Sequence, residues 1–225
     1  MLHEYHAAML EDTLNRFFSR SALDEIIAAN LGQDGLPTIF GHDYIHFDAS
    51  KFKEALAYIE DQHALVAAAA GPGPFRAAFG RLTHGAQDFY AHSNYVDLWL
   101  DEHGGLENTR PQDIDGLDTR LLDSPRLHSG SFYWWRDIIY YIPGLRGFAR
   151  QYLVFAGSHE AMHLDDPSRG PRFEYAIQAA RQRTLAEYAR AVRALTPGQL
   201  SIFHGQPAAE SGRRRALAAQ PPGPA

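Results

Sequence analysis

Cysteine is missing from all 225 residues. Its absence removes thiolate metal sites, a cysteine nucleophile and disulfide staples. The fold must rest on buried apolar side chains, and a 45% hydrophobic chain of this length can build one good-sized core or two small ones. A long apolar run is missing too: nothing approaches the ~20 residues of a membrane span. The first residues, Met1-Leu-His-Glu-Tyr-His6, lack the basic start and apolar centre of a secretory leader. With Met1 retained, this predicts a cytoplasmic protein, a processed secreted form staying open. Positive charge is in short supply, with 21 Lys and Arg against 27 Asp and Glu, net −6. That argues against a nonspecific nucleic-acid surface. Bound metal ions would still supply local positive charge at a nucleic-acid site. Period-2 alternation and internal repeats are also absent, so the chain is expected to be all-α and single-domain.

What is abundant is histidine, with twelve copies. The most informative stretch is His84-Gly-Ala-Gln-Asp88-Phe-Tyr-Ala-His92. On a helix, residues at i, i+4 and i+8 drift only ~40° per step and share one stripe. Imidazole plus carboxylate is a zinc-type ligand set. The outer residues lie ~12 Å apart along the axis, too far for one ion. His84 and Asp88 can hold one metal and Asp88 and His92 another, which makes Asp88 a candidate bridge. The plain alternative is a hydrogen-bonded polar core. The apolar neighbours Leu82, Phe89, Tyr90 and Val96 turn the stripe inward, where such groups need partners.

Helical spacing of Met9, Leu10, Leu14, Phe17, Phe18, Leu23, Ile26 and Ile27 predicts helix over 4–30, with a break capped by Ser19 or Ser21. A second helix spans 50–69 with Phe52, Leu56, Ile59, Leu65 and Val66 inward. Gly71-Pro-Gly-Pro74 interrupts the chain, and the motif helix is expected from about Phe75 to Leu100. Residues 103–131 form a long polar connection, a sign of function or insertion. A short helix is expected near 146–156. The last helix covers about Pro171–Ala194, with Phe173, Ile177, Ala180, Thr184, Tyr188 and Val192 inward. The metal-binding helical domain is 1–204. Residues 205–225, rich in Pro, Gly and Ala, read as a disordered tail.

Further ligand candidates lie outside the motif helix. His46 sits in a loop with Asp48, favouring metal, while His42 is evenly balanced. Asp48 or Ser50 is alternatively a helix cap. His159-Glu-Ala-Met-His163 sets two imidazoles at i, i+4, able to chelate an ion. Its glutamate stands where a zincin has one, yet we do not read the segment as a protease motif. Asp165 and Asp166 follow as ligands or caps. His6 projects inward beside Leu10, more in the manner of a core histidine. His3, His63, His103, His128 and His204 have no partner at ligand spacing.

Leu82-Thr-His84 through Asp88-Phe-Tyr-Ala-His92-Ser-Asn94 resembles the His-x3-Asp helix of the zinc-dependent phospholipase C and single-strand zinc nuclease superfamily. The wording Asp-Phe-x-Ala-His-Ser-Asn is closest to its Het-C-like branch. His6, Asp34, His46 and the His159/His163 pair fall in the family's order over most of residues 1–195. The resemblance implies an all-α bundle with a long insertion, 93–158, between metal-binding helices. It implies two or three zinc ions on His6, Asp34, His46, His84, Asp88, His92, His159 and His163. The chain departs from the family in lacking an N-terminal tryptophan and in carrying His163 at a carboxylate position. The expected activity is a phospholipase C-like phosphoester hydrolase in which metals polarise the phosphoryl oxygen. Asp34 or Asp88 would orient the attacking water. The partner is then a small phosphoester or phospholipid, with peripheral membrane contact open. The alternatives are a non-enzymatic, metal-stabilised helical protein of the Het-C-like type and a single-strand nuclease.

Phe132-Tyr-Trp-Trp-Arg-Asp-Ile-Ile-Tyr-Tyr141 stands apart. Trp and Tyr suit a membrane interface. The segment is short and poor in Lys and Arg, which favours a helix packed over the core.

Overall fold

The computed structural model describes residues 1–35, 42–131, 139, 142, 144–152, 154–155 and 157–206, and of 146, 150 and 151 the backbone alone. Among these residues the secondary structure is helical, with two isolated bridges and no strand. The helical run expected over 4–30 divides into α1 (His3–Leu14) and α2 (Arg20–Leu31). Ser19 makes the division: its backbone is extended, and its hydroxyl accepts from the Ala22 amide. α3 covers Phe52–Ala68, α4 Pro72–His92 and α5 Tyr95–Glu102. A single turn, α6 (Thr119–Leu122), punctuates the long connection. α7 (Arg146–Tyr152) and α8 (His159–Met162) follow, then α9 (Arg172–Ala194) and α10 (Pro197–His204).

α4 is the axis of the bundle, with α2, α3 and α9 packed around it. Every residue from Leu82 to His92 is buried. Toward its start, α4 packs Phe75 and Phe79 against Phe17, Phe18, Tyr188 and Phe203. Toward its end, Phe89 and Tyr90 pack with Phe47, Tyr95 and Trp99. Burying such side chains contributes ~1.5–3 kcal/mol each, set against the entropy of ordering them. Two glycines allow the close approach. A Cβ on Gly80 would stand 2.4 Å from the Ile26 carbonyl oxygen of α2, and one on Gly85 2.8 Å from that of Ile45.

Several expectations need correcting. The motif helix stops at His92 rather than near Leu100, because the Ser93 hydroxyl turns back to the Phe89 carbonyl at 2.6 Å and the backbone becomes extended. In α3, Leu56 and Leu65 are about half exposed. Gln62 and His63 are buried instead, bonded to Arg81 and Glu187. The expected inward face of α9 is buried throughout, from Phe173 to Val192. α10 was not anticipated; it starts on a reciprocal cap between Thr196 and Gln199 and ends at Gly205 in the left-handed conformation. The aromatic segment 132–141 lies outside the described residues except for 139, and the tail lies outside them from 207 onward.

Candidate metal centre

Five pieces of chain bring the site together. α1 supplies His6, and the 3-10 turn after α2 supplies Asp34. A second 3-10 turn, Asp43–His46, supplies His46, and the loop after it supplies Asp48. α4 supplies His84, Asp88 and His92 on one stripe, and α8 with the residues after it supplies His159, His163 and Asp165. The ends of these loops are tied to the end of α4. Its Ala91 carbonyl accepts from the Leu164 amide at 2.7 Å, and its His92 carbonyl from Gly130 at 3.1 Å. Phe47, Ala49 and Ser50 adopt positive φ around Asp48, a conformation side chains resist. Ser50 and Ser129 hold it by exchanging backbone-to-hydroxyl hydrogen bonds of 2.8 and 3.0 Å.

The first donor group is Asp34, His46, His84 and Asp88. His84 Nε2 lies 3.0 Å from Asp88 Oδ2, 3.1 Å from His46 Nδ1 and 3.5 Å from Asp34 Oδ1. His46 Nδ1 lies 3.0 Å from Asp88 Oδ2 and 3.8 Å from Asp34 Oδ1. A tetrahedral ion with ligand bonds of ~2.0–2.1 Å separates its donors by ~3.3 Å. The observed separations bracket that value. His46 Nε2 and His84 Nδ1 are buried without a hydrogen bond. The charges are unusual. Burial pushes the His84 imidazole down to about 4, against the pull of Asp88. For His46, burial opposes the charge, but Asp88 wins and raises it.

On the other side, Asp88 Oδ1 meets a second convergence. His92 donates Nδ1–H to the His46 carbonyl at 2.8 Å, which fixes its tautomer and leaves Nε2 as a bare donor atom. Gln87 orients His6 in the same way. Its carbonyl oxygen already accepts from Asn30, so it also accepts from His6 Nδ1 at 2.7 Å. His6 Nε2 then faces Asp88 Oδ1 at 3.1 Å. The positive charge at this point is the Met1 amino group, 2.7 Å from Asp88, 3.1 Å from Asp165 and 3.3 Å from His92 Nε2. Burial disfavours that charge, but Asp165 and Asp88 outweigh it and raise the amine to about 11. Burial likewise opposes ionisation of Asp88, yet the amine and the histidines hold its carboxyl well below the usual range.

A third convergence runs through His159. Its Nδ1 contacts both oxygens of Asp48 at 3.1 Å, and Asp48 lies 3.6 Å from His92. His159, His163 and Asp165 form a further donor group, with His163 Nδ1 3.1 Å from Asp165. Burial opposes charge on His159 as well, but Asp48 and Asp165 raise it well above the ordinary imidazole value. Residues 159–163 do spell His-Glu-x-x-His, the letters of a zincin helix. The geometry argues against that use. α8 is one turn long, and buried Glu160 lies beside His163 and Arg169.

All eight residues named as candidate ligands thus fall in one region. His6 differs from the rest in standing outside the donor groups, bonded to Gln87 and stacked on His84 with ring centres 4.4 Å apart. Asp48 and Asp165 join the donor groups rather than acting as caps; Asp166 does cap, accepting from Ser168 at 2.8 Å. His42 stands outside every donor group. A cleft of about 640 Å³ opens over the centre, lined among others by Asp34, His46, Asp48, His92, His159 and Asp165.

Comparison with known proteins points away from the phospholipases. Residues 2–106 match the family described as the VWA7 N-terminal domain. The chain is 39% identical over 82 residues to von Willebrand factor A domain-containing protein 7 of Rattus norvegicus and of Homo sapiens. It is 38% identical to that of Mus musculus. The aligned stretch is 35% of this chain, which spans 9% of the length of these relatives. No solved structure matches. This overturns the assignment to the zinc-dependent phospholipase C and single-strand nuclease superfamily, its Het-C-like branch included. The phosphoester hydrolase, nuclease and Het-C-like readings fall with it, and zinc is no longer implied by family. The physical reason is that a His-x3-Asp-x3-His stripe follows from helix period and ligand chemistry. It marks donor geometry and does not by itself mark ancestry or reaction.

Proposed function

We propose that this helical domain is a metal-binding module that holds at least two divalent transition-metal ions. One ion is assigned to Asp34, His46, His84 and Asp88. The second is assigned to Asp48, His92 and His159, with His163 and Asp165 extending the site toward a third. The carrying observation is the set of donor separations in the first group, 3.0–3.8 Å, with His46 Nδ1, His84 Nε2 and the Asp34 and Asp88 oxygens converging on one largely buried point. Nitrogen and oxygen donors with no sulfur suit zinc and its first-row neighbours. The first group lies wholly inside the stretch similar to the VWA7 N-terminal domain. The cleft over the centre favours ions reachable by small ligands over ions sealed in the core.

The test is elemental analysis of the full chain after zinc repletion and dialysis, with cobalt substitution as a second readout. At least two equivalents are expected, with the intense visible absorption of tetrahedral cobalt. Fewer than one equivalent, or a featureless cobalt spectrum, would refute the module. Titration of the cobalt form with azide should shift its bands if the ions face the cleft.

A further inference from the structure

Two donor groups of the metal centre are built on one short piece of chain. His46 faces the first group with its side chain, Nδ1 lying 3.0 Å from Asp88 Oδ2 and 3.1 Å from His84 Nε2. Its backbone serves the second group, because the His46 carbonyl accepts from His92 Nδ1 at 2.8 Å. Two residues on, Asp48 joins His92 and His159 in that second group. Residues 46–48 therefore carry one donor of each group and the carbonyl that aims a further donor.

The conformation of this segment ties the two placements together. The Asp48 amide donates to the Asp43 carbonyl at 2.9 Å, closing the turn that carries His46. Around Asp48, Phe47, Ala49 and Ser50 hold φ of 54–57°, a region that side chains resist. The Ala49 amide donates to the Gly130 carbonyl at 2.7 Å, and the Gly130 amide to the His92 carbonyl at 3.1 Å. Phe47 packs on Phe89 of α4, with ring centres 5.2 Å apart. An ion that draws His46 Nδ1 into the first group pins this segment, and with it the His46 carbonyl and Asp48. A second ion then meets donors already ordered and binds more tightly. Asp88 offers another route between the groups, since its Oδ2 faces the first and its Oδ1 lies 3.8 Å from His92 Nε2. Charge permits both ions: Asp34, Asp48, Asp88 and Asp165 carry four formal negative charges, matching two dications.

We propose that the two ions load as a cooperative pair, coupled through residues 46–48. This rests on the metal-binding reading above and adds how the centre fills: the chain with one ion is the scarce form. Coupling is reciprocal, so each ion tightens the other by the same factor.

The experiment is native mass spectrometry of the full chain titrated with zinc, with binding constants taken from competition against a chelator. At half saturation, metal-free chains and chains with two or more ions should predominate. Those with one ion should fall below about a third, where equal independent sites give about half. His84→Gln removes a first-group donor from α4, and His159→Gln a second-group donor from α8, both away from residues 46–48. The wild-type two-ion constant should exceed the product of the two variants' single-site constants by about fivefold or more. Circular dichroism checks the fold of both variants, and the wild-type distribution stands without them. One-ion chains at about half or more would overturn the pairing and leave the metal module standing, as would a wild-type constant no larger than that product. Saturation below two ions would fail the module itself, and the pairing with it.

Discussion

Asp88 stands where the first donor group and the Met1 amine meet. It is fully buried, one oxygen faces His84 and His46, and the other faces the Met1 amine and His6. Asp88→Asn keeps the shape and removes the charge, leaving cations and imidazoles without their counter-ion. Breaking one partner of a buried pair costs about 3–5 kcal/mol. The expected result is a clear fall in melting temperature and loss of more metal than in His6→Ala. His6 stands outside the donor groups, so its removal should cost packing first. Equal metal loss in the two variants, measured by elemental analysis, would contradict the central role of Asp88.

Glu187 offers a separate test at the same scale, outside the donor groups. It is almost fully buried and accepts from His63 at 2.7 Å and from Arg183. Burial alone would raise its pKa; the hydrogen bond from His63 and the Arg183 charge instead lower it from 4.5 to about 2. A depressed folded-state value means that this stability is fully present above pH 4.5 and lost as pH falls through about 2. The shift corresponds to about 3 kcal/mol at neutral pH. Glu187→Gln should remove that much and flatten the acid limb of the stability curve between those values. Denaturant titrations across the acid range would read this directly.

At the scale of elements, α4 carries both the core and the donors, so its glycines separate the two functions. Gly80→Ala drives a methyl group into the Ile26 carbonyl and the Ala29 side chain of α2. Overpacking of this kind costs about 1–3 kcal/mol. Gly85→Ala presses instead on the Ile45 carbonyl, one residue before His46. Both variants should melt lower. Gly85→Ala alone should weaken metal affinity, by about tenfold for a ligand displaced by a fraction of an ångström. Isothermal titration with zinc on the two proteins distinguishes packing from site geometry.

At the scale of the molecule, the donors come from two 3-10 turns, the loop after the second, α4, and α8 with the residues after it, so bound ions would cross-link elements distant in sequence. An ion that binds only the folded chain at a hundred times its dissociation constant adds about 2.7 kcal/mol per site. Zinc saturation should therefore raise the melting temperature and a chelator should reverse the rise. An unchanged melting curve would mean that the donors do not take metal in the folded state. The bundle closes at α10, where the Arg76 guanidinium binds the carbonyls of Ile202 and Phe203 and the Gln206 amide donates to Ser201. Truncation belongs after Gln206, not at Gly205. A chain ending there should keep its melting temperature and metal content.

The sequence by itself determined the helical class, the inward face of α9, the break at Ser19 and the polar stripe of α4. Each is a local matter: helix period, cap chemistry and burial of every third or fourth side chain decide it within a few residues. The sequence also brought His84, Asp88, His92, His159 and His163 to notice by spacing and His46 by its loop position, whereas His6 and Asp34 were named as ligands only through the family resemblance. It misjudged Leu56 and Leu65, since apolar character alone cannot reveal that His63 and Gln62 have partners on other helices. It misjudged the family, because ligand spacing reflects coordination geometry that unrelated helices can share. Only the tertiary structure decided that Asp48 and Asp165 face the histidines, that Gln87 and the His46 carbonyl fix two imidazole tautomers, and that His6 stands aside. Those outcomes depend on contacts across tens of residues, where the crossing of helices, not the order of residues, sets which atoms meet.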